Sequence, residues 1–537
     1  MTGIEKQETR RLALQAELDA RKNKNERNRL GQFATPTALA REILAFGRQL
    51  LGPRRKIHFL DPAIGTGSFY SALRSVAPAS KIGRCVGFDI DPHYAEPARA
   101  LWKNTTLDLR TSDFTTAEVP GSTPEQANLV ICNPPYVRHH HLDGDRKREL
   151  QATVYHRLGI RPSGLSGLYC HFMWLSHAWM APGGVAGWLI PGEWMDVNYG
   201  TLVKQYLLGH VDLVRIHRFD PSNVQFDDAL VSSVVVWFRN QAPGDQPVEF
   251  SYGGTLAEPG RLVPVPRQTL RATRKWTRIL ASPQPSVTAP TTSMSATDTE
   301  GPILGDLFRI KRGVATGANG FFVLTREAIE EHQLPWRFLR PILPSPRYLE
   351  SDEITADSSG DPLIERRRYL LAVDQPEHVV EAEYPSLWAY LQQGIDAGIH
   401  ERYLSRHRRP WYAQEHRPPA PILCTYMGRT SGRDDRPFRF ILNRSQATAA
   451  NVYLMLYARP ALTRAAEREP DLLRTVWRGL NRVPVSTLLG EGRVYGGGLH
   501  KLEPRELGNL PLATLGVQLP ERAIERRHRN PGWLAGV

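Results

Sequence analysis

Residues 57–69 read Ile57-His58-Phe59-Leu60-Asp61-Pro62-Ala63-Ile64-Gly65-Thr66-Gly67-Ser68-Phe69: a short apolar run, a carboxylate, a turn with two glycines, and the opening of a helix. A strand that ends in Gly-x-Gly and feeds a helix brings bare backbone up to a ligand, because glycine has no Cβ to hold it off. Tight turns use the same spacing, so this turn counts only with what surrounds it. Outward along the chain, the run Cys85 to Asp89 (CVGFD) ends in a carboxylate. It lies about 20 residues on, where a carboxylate meets ribose hydroxyls in a dinucleotide-type fold. Asp113-Phe114 follows a third short run, and there a carboxylate can accept from an adenine amino group while the ring covers the base. Taken singly, Asp89 or Asp113 would serve as a helix cap or turn residue.

The most specific signal is Asn133-Pro134-Pro135-Tyr136, at the end of the apolar run Leu129 to Cys132 (LVIC). At average residue usage such a tetrapeptide arises on the order of once per several hundred chains of this length. An exocyclic adenine amine is a poor nucleophile, because its lone pair is delocalised into the ring. A catalyst must accept hydrogen bonds from that nitrogen and keep it pyramidal. The Asn133 carboxamide oxygen and the Pro134 carbonyl can do so, two prolines fix the backbone that presents them, and Tyr136 offers a face on which an extruded base can stack. Methyl transfer then needs in-line placement of a sulfonium donor.

From about residue 31 to 240, short apolar runs alternate with helical patterns, the mark of a parallel sheet covered by helices. Strands are expected at Ile57 to Leu60, Cys85 to Asp89, Leu129 to Cys132, Val185 to Ile190 and Val231 to Phe238. A helix is expected over Leu168 to Met180, closed by Pro182-Gly183-Gly184. Residues 283–302, rich in Pro, Ser and Thr without hydrophobic period, read as a linker. The expected domains are a helical extension over 1–30, a catalytic domain over 31–282 and a second domain over 303–537.

The chain has 537 residues, a formal charge of +13 and a pI near 9.6, a balance that suits a polyanionic partner. No apolar run approaches the roughly 20 residues that cross a bilayer. Residues 4–30 alternate charges with scattered Leu and Ala, reading as a solvated helix rather than an export segment, so a cytoplasmic protein without membrane contact is expected. Cys85, Cys132, Cys170 and Cys424 stand far apart, never as C-x-x-C, and read as small core residues. His139-His140-His141 cannot all converge on one ion in regular structure, so no metal is expected.

Gly31-Gln32-Phe33-Ala34-Thr35-Pro36, then DPAIGTGSF at 61–69, GFDIDP at 87–92, SDF at 112–114 and NPPY at 133–136, in that order, resemble the gamma-class N6-adenine DNA methyltransferases of type II restriction-modification systems. The resemblance covers residues 31–240. It implies a Rossmann-like α/β methyltransferase domain that uses S-adenosylmethionine, followed by a C-terminal mixed α/β target-recognition domain. By that resemblance Thr35, Asp61, Gly65, Gly67, Asp89, Ile90, Asp113, Phe114 and Pro135 line the cofactor. Asn133, Pro134 and Tyr136 hold the adenine, with Phe226 as a second aromatic against the flipped base. Members of the family may carry Glu where this chain has Asp61, and the carboxylate role is expected to survive. Phe308 to Phe322 (FRIKRGVATGANGFF) resembles the opening of the recognition domain. Arg402, Arg406, Arg408 and Arg409 are candidates to neutralise phosphates.

The resulting expectation is site-specific methylation of double-stranded DNA, protecting it from a cognate restriction endonuclease on a separate chain. Two rivals stand beside it. The same fold can methylate RNA or a protein glutamine, or it can survive as an inactive DNA-binding module.

Overall fold

The computed structural model describes residues 3–23, 26–27, 30–53, 55–137, 141–220, 233–281, 301–429, 436–495 and 499–525. The chain divides into two compact units, 1–285 with 495–498 and 286–494 with 499–537. Of the linker expected at 283–302, residues 283–300 lie outside the described residues.

The first unit is built on one nine-stranded sheet: β1 (Ile57–Asp61), β2 (Ile82–Asp89), β3 (Leu107–Thr111), β4 (Ala127–Cys132), β5 (Met180–Pro191), β6 (Asp212–Arg218), β7 (Ser233–Arg239), β8 (Val248–Gly254) and β9 (Pro259–Val265). Their order is β3-β2-β1-β4-β5-β7-β6-β8-β9. Side chains alternate across this sheet, as a pleated strand requires. Leu60, Phe88, Val130 and Trp188 feed one core, roofed by α6 (Leu168–Ser176). Phe59, Cys85, Leu129 and Leu189 feed the other, roofed by α2 (Thr37–Leu51) and α3 (Ser68–Val76). Burial on both faces is why the central runs are almost wholly apolar. All four cysteines are buried.

Three expectations need correction. The sheet is not all parallel: β7 runs antiparallel to both β5 and β6, between which it lies. The helix beginning at Leu168 ends at Ser176 and passes through a 3-10 turn, His177–Trp179, into β5. Pro182-Gly183-Gly184 therefore falls within a strand. Pairing of β5 with β4 jumps from Ala127–Met180 to Leu129–Val185, so residues 181–184 bulge from the ladder. Lastly, the N-terminal helix α1 (Gly3–Ala20) is not a solvated extension, since Arg11 is 1% exposed and Leu18 2%.

The sheet positions the site through its order. The chain lays β1, β2 and β3 successively to one side, then returns to place β4 on the other flank of β1. Loops leaving the carboxyl ends of β1 and β4 must diverge, and such a switch point opens a crevice.

In the second unit, β10 (Phe308–Arg312) edges a five-stranded sheet followed by Tyr453–Ala458, Ile422–Thr425, Phe440–Asn443 and Glu353–Ile354. One face packs Ile422, Leu454 and Leu456 on Val476 and Leu480 of the helix Leu472–Arg482. A neighbouring core gathers Val314, Phe322, Leu370, Leu391 and Tyr412.

Candidate active site

β1 delivers Asp61 to the crevice fully buried, and its carboxylate accepts from the Ala63 amide at 3.1 Å. The turn after it is fastened to β2: Ile64 N donates to Phe88 O at 2.8 Å and Gly65 N to the Asp89 carboxylate at 3.0 Å. Gly67 sits at φ +92°, and a Cβ there would stand 2.6 Å from the Trp102 indole nitrogen, which donates to Thr66 O at 2.9 Å. Asp89 also accepts from Asp91 N at 2.8 Å. Burial pushes Asp61 up to about 8, with the Asp89 charge adding to the rise. Burial likewise raises Asp89 to about 6. Two carboxylates held this far from water are prepared to receive a ligand that carries positive charge and hydroxyl donors.

Asp113 caps the 3-10 turn Phe114–Thr116, accepting from Thr115 N at 2.8 Å, and pairs with Arg146 of α5 (Gly144–Leu158). Phe114 is buried among Phe88, Phe172 and Trp179. Ile90, in contrast, is 65% exposed while lining the crevice, as a surface meant to cover an apolar ring would be.

Asn133 follows the last residue of β4. Its amide nitrogen donates to Phe33 O at 2.9 Å and to Thr35 Oγ1 at 3.1 Å. A carbonyl can only accept, so these bonds settle which end of the carboxamide is nitrogen. The other end, Oδ1, is buried and meets no hydrogen-bond partner among the described residues. Pro134 and Pro135 stiffen the loop, and Tyr136 N bonds back to Gly31 O at 3.4 Å. Gly31 has φ +66°, and a Cβ on it would lie 2.4 Å from Tyr136 N, so only glycine lets the two segments meet. The Tyr136 ring is half-buried on the second core beside Phe33, with ring centroids 6.0 Å apart, and its hydroxyl donates to Leu189 O at 3.2 Å.

A cavity of about 550 Å³ joins these pieces. Thr35, Asp61, Gly65, Asp89, Ile90, Asp113, Phe114, Asn133 and Pro135 line it, whereas Gly67, Pro134 and Tyr136 are not on its lining. Phe226, His139 and His140 lie outside the described residues; His141 is on the lining. The volume suits a nucleoside-sized ligand, and the acidic, hydroxyl-seeking wall opposite apolar Ile90 and Phe114 fits a cationic adenosyl donor. Gln15 and Asp19 of α1, Phe33 and Arg146 line it too. Sequence reasoning passed over these four. Glu8, Arg11, Gln15 and Asp19 recur at three- to four-residue spacing and so form a stripe on one face of α1. Being polar, that stripe looked like a solvent face.

In the second unit Arg402, Arg408 and Arg409, expected to meet phosphates, also make hydrogen bonds to the backbone. Arg408 donates to Thr316 O at 3.1 Å and Ala315 O at 2.6 Å, and Arg402 to Gly317 O at 3.4 Å, so these guanidiniums hold a loop. Arg409 bonds the carbonyls of Arg406 and Arg408. A concavity of about 390 Å³ is lined by Arg309, Lys311, His416, Arg417 and Tyr457. Arg309, followed by burial and Arg417, pushes the Lys311 ammonium below its usual value, and one acid, Glu415, partly counters them.

Two family models match: "Eco57I restriction-modification methylase" over residues 91–225 and "Type II methyltransferase M.Eco57I, C-terminal domain" over 273–530. The type II methyltransferase M.XamI of Xanthomonas campestris pv. amaranthicola is 29% identical over 495 residues, 91% of this chain and 86% of that protein. M.AccI of Acinetobacter calcoaceticus is 24% identical over 499 residues, again 91% and 86%. The solved structure of the type IIL restriction-modification enzyme MmeI in complex with DNA is 12% identical, with a TM-score of 0.49 over 80% of this chain and 60% of that one. With separate stretches of its sequence matched by the methylase model and by the C-terminal-domain model, the chain is similar over most of its length to the type II restriction-modification methylases.

Proposed function

We propose that this protein transfers the methyl group of S-adenosylmethionine to the N6 amine of an adenine flipped out of duplex DNA at one short recurrent sequence. The observation that carries the adenine assignment is the Asn133 side chain: its NH2 is committed to Phe33 and Thr35, and its oxygen is buried without a partner. Leaving an acceptor so costs folding about 1–3 kcal/mol, a cost that a substrate amine can relieve. Asn133 Oδ1 and the Pro134 carbonyl would accept the two N6 hydrogens and draw the nitrogen toward a pyramidal form. Its lone pair then attacks the methyl carbon, the carbon–sulfur bond breaks with its electron pair going to sulfur, and one N6 proton is lost to solvent. Bound S-adenosylmethionine supplies the activated methyl carbon. Asp89 and the Gly65 turn would hold its ribose side, Ile90 and Phe114 would cover its adenine, and Asp113, braced by Arg146, would accept from that adenine's amine. Tyr136 and Phe226 are the residues we assign to stacking on the flipped base.

The basic concavity of the second unit supplies countercharge to backbone phosphates. The mark shields its site from an endonuclease borne on another chain, and the reaction takes place in the cytoplasm. Among the described residues no helix is long and apolar enough to cross a membrane.

The test is transfer of labelled methyl from S-adenosylmethionine to unmethylated genomic DNA, with nucleoside analysis and mapping of the modified positions. N6-methyladenine at one short sequence is the expected product. Label on cytosine would overturn the adenine assignment, and label on RNA or protein alone would overturn the DNA assignment.

A further inference from the structure

The N-terminal helix does more than pack. Arg11 is buried with Glu8 in a two-pronged ion pair (2.7 and 2.8 Å), and its remaining donors reach Thr66 Oγ1 at 3.2 Å and Ser68 Oγ at 3.0 Å, on the turn that follows β1. Thr66 in turn donates to Gln15 Oε1 at 2.6 Å, Gln15 Nε2 donates to Asp19 Oδ1 at 3.0 Å, and Tyr94 of α4 (Pro92–Leu101) donates to the same oxygen at 2.8 Å. Lys22 pairs with Asp91, just after β2, and the His93 ring meets Leu18 O at 2.9 Å. One hydrogen-bonded chain thus runs from the Gly-rich turn, along α1, to the loop after β2, and Gln15 and Asp19 border the cavity where it passes.

A helix held in place only for stability would bury an apolar face. This one buries an ion pair, which adds little net stability but fixes orientation, and it turns a carboxamide and a carboxylate toward the donor socket. We propose that α1 is one wall of that socket and that Gln15 and Asp19 hydrogen-bond bound S-adenosylmethionine. The inference rests on the methyl-transfer reading above. It also carries a reciprocal consequence: if the cofactor holds α1, a bound cofactor protects α1 from opening.

The experiment is calorimetric titration of the full-length protein with S-adenosylhomocysteine, comparing wild type, Gln15→Ala and Asp19→Asn. Asparagine keeps an acceptor for Tyr94, and both positions are only partly buried, so the unliganded melting temperature should move by less than about 2 °C. Each variant should bind the probe about tenfold more weakly, the loss expected for a hydrogen bond to a charged group. Saturating probe should also slow tryptic cleavage after Arg21, whose side chain is 63% exposed. Variants that fold and bind as tightly as wild type would overturn the inference and leave the methyl-transfer reading intact, as would cleavage indifferent to the probe. A wild-type protein that binds no probe would overturn the methyl-transfer reading, and this inference with it.

Discussion

Replacing Asn133 by Ala separates catalysis from folding in a way the geometry makes quantitative. The substitution deletes two donated hydrogen bonds, to Phe33 O at 2.9 Å and Thr35 Oγ1 at 3.1 Å, together worth about 2 kcal/mol. It also deletes the buried, unpartnered Oδ1, whose desolvation opposes folding by about 1–3 kcal/mol. The two changes offset. Folding stability should shift by no more than about 1 kcal/mol, a melting change of about 2–4 °C for a unit of this size. Catalysis has no such compensation. A fixed group aimed at developing charge is worth about a hundred- to a thousandfold in the chemical step, and the variant should lose at least that much in single-turnover methyl transfer. Binding of S-adenosylhomocysteine should stay within about threefold of wild type, since the uniform part of binding is untouched. Transfer within about tenfold of wild type would refute the reasoning. So would a fall of more than about 10 °C in melting temperature, because Asn133 would then be a strut rather than an acceptor.

Three further outcomes follow from the same structure. Asp61 and Asp89 are raised to about 8 and about 6 when folded, against about 3.9 unfolded. The cofactor-free protein should therefore lose stability as pH rises from about 4 toward 8 and then level off; Asp61→Asn should flatten thermal melts over that range, and an unchanged slope would remove Asp61 as the cause. Gly31→Ala places a Cβ 2.4 Å from Tyr136 N at φ +66° and should cost about 2–4 kcal/mol in denaturant unfolding, together with most of the methyl transfer; a neutral result would mean the loop yields freely. The pair Arg309→Gln and Lys311→Gln should lower the slope of log DNA affinity against log salt by about 2, read by fluorescence anisotropy, and an unaltered slope would take phosphate away from that concavity.

What was legible in the sequence was the local form of two loops that line the cavity. The Gly65 turn and the Asn133 loop are local: their spelling follows from what the backbone must do there, whatever packs behind. Central strands were legible for a related reason, being buried on both faces and so continuously apolar, as Val185 to Ile190 is. Peripheral strands were not. β3 reads Leu-Asp-Leu-Arg-Thr and β9 alternates half-buried and exposed positions at the sheet edge, so their apolar content falls to that of a loop. The direction of β7 leaves no trace in its composition, because a strand buried on both faces is spelled alike whichever way it runs. The role of α1 was hidden because its working face is polar. A stripe of Glu8, Arg11, Gln15 and Asp19 is indistinguishable from a solvent face until its partners, more than 50 residues away for Gln15 and Thr66, are known.

The switch point between β1 and β4 has an evolutionary reading. Donor cradle and acceptor loop leave neighbouring strands, yet each is fastened to different parts of the chain: the Gly65 turn to Asp89, the Asn133 loop to Phe33, Thr35 and Gly31. The two halves of the reaction are thus separate modules. A new nucleophile could be recruited by respelling the four residues after β4, with the machinery for the donor inherited unchanged.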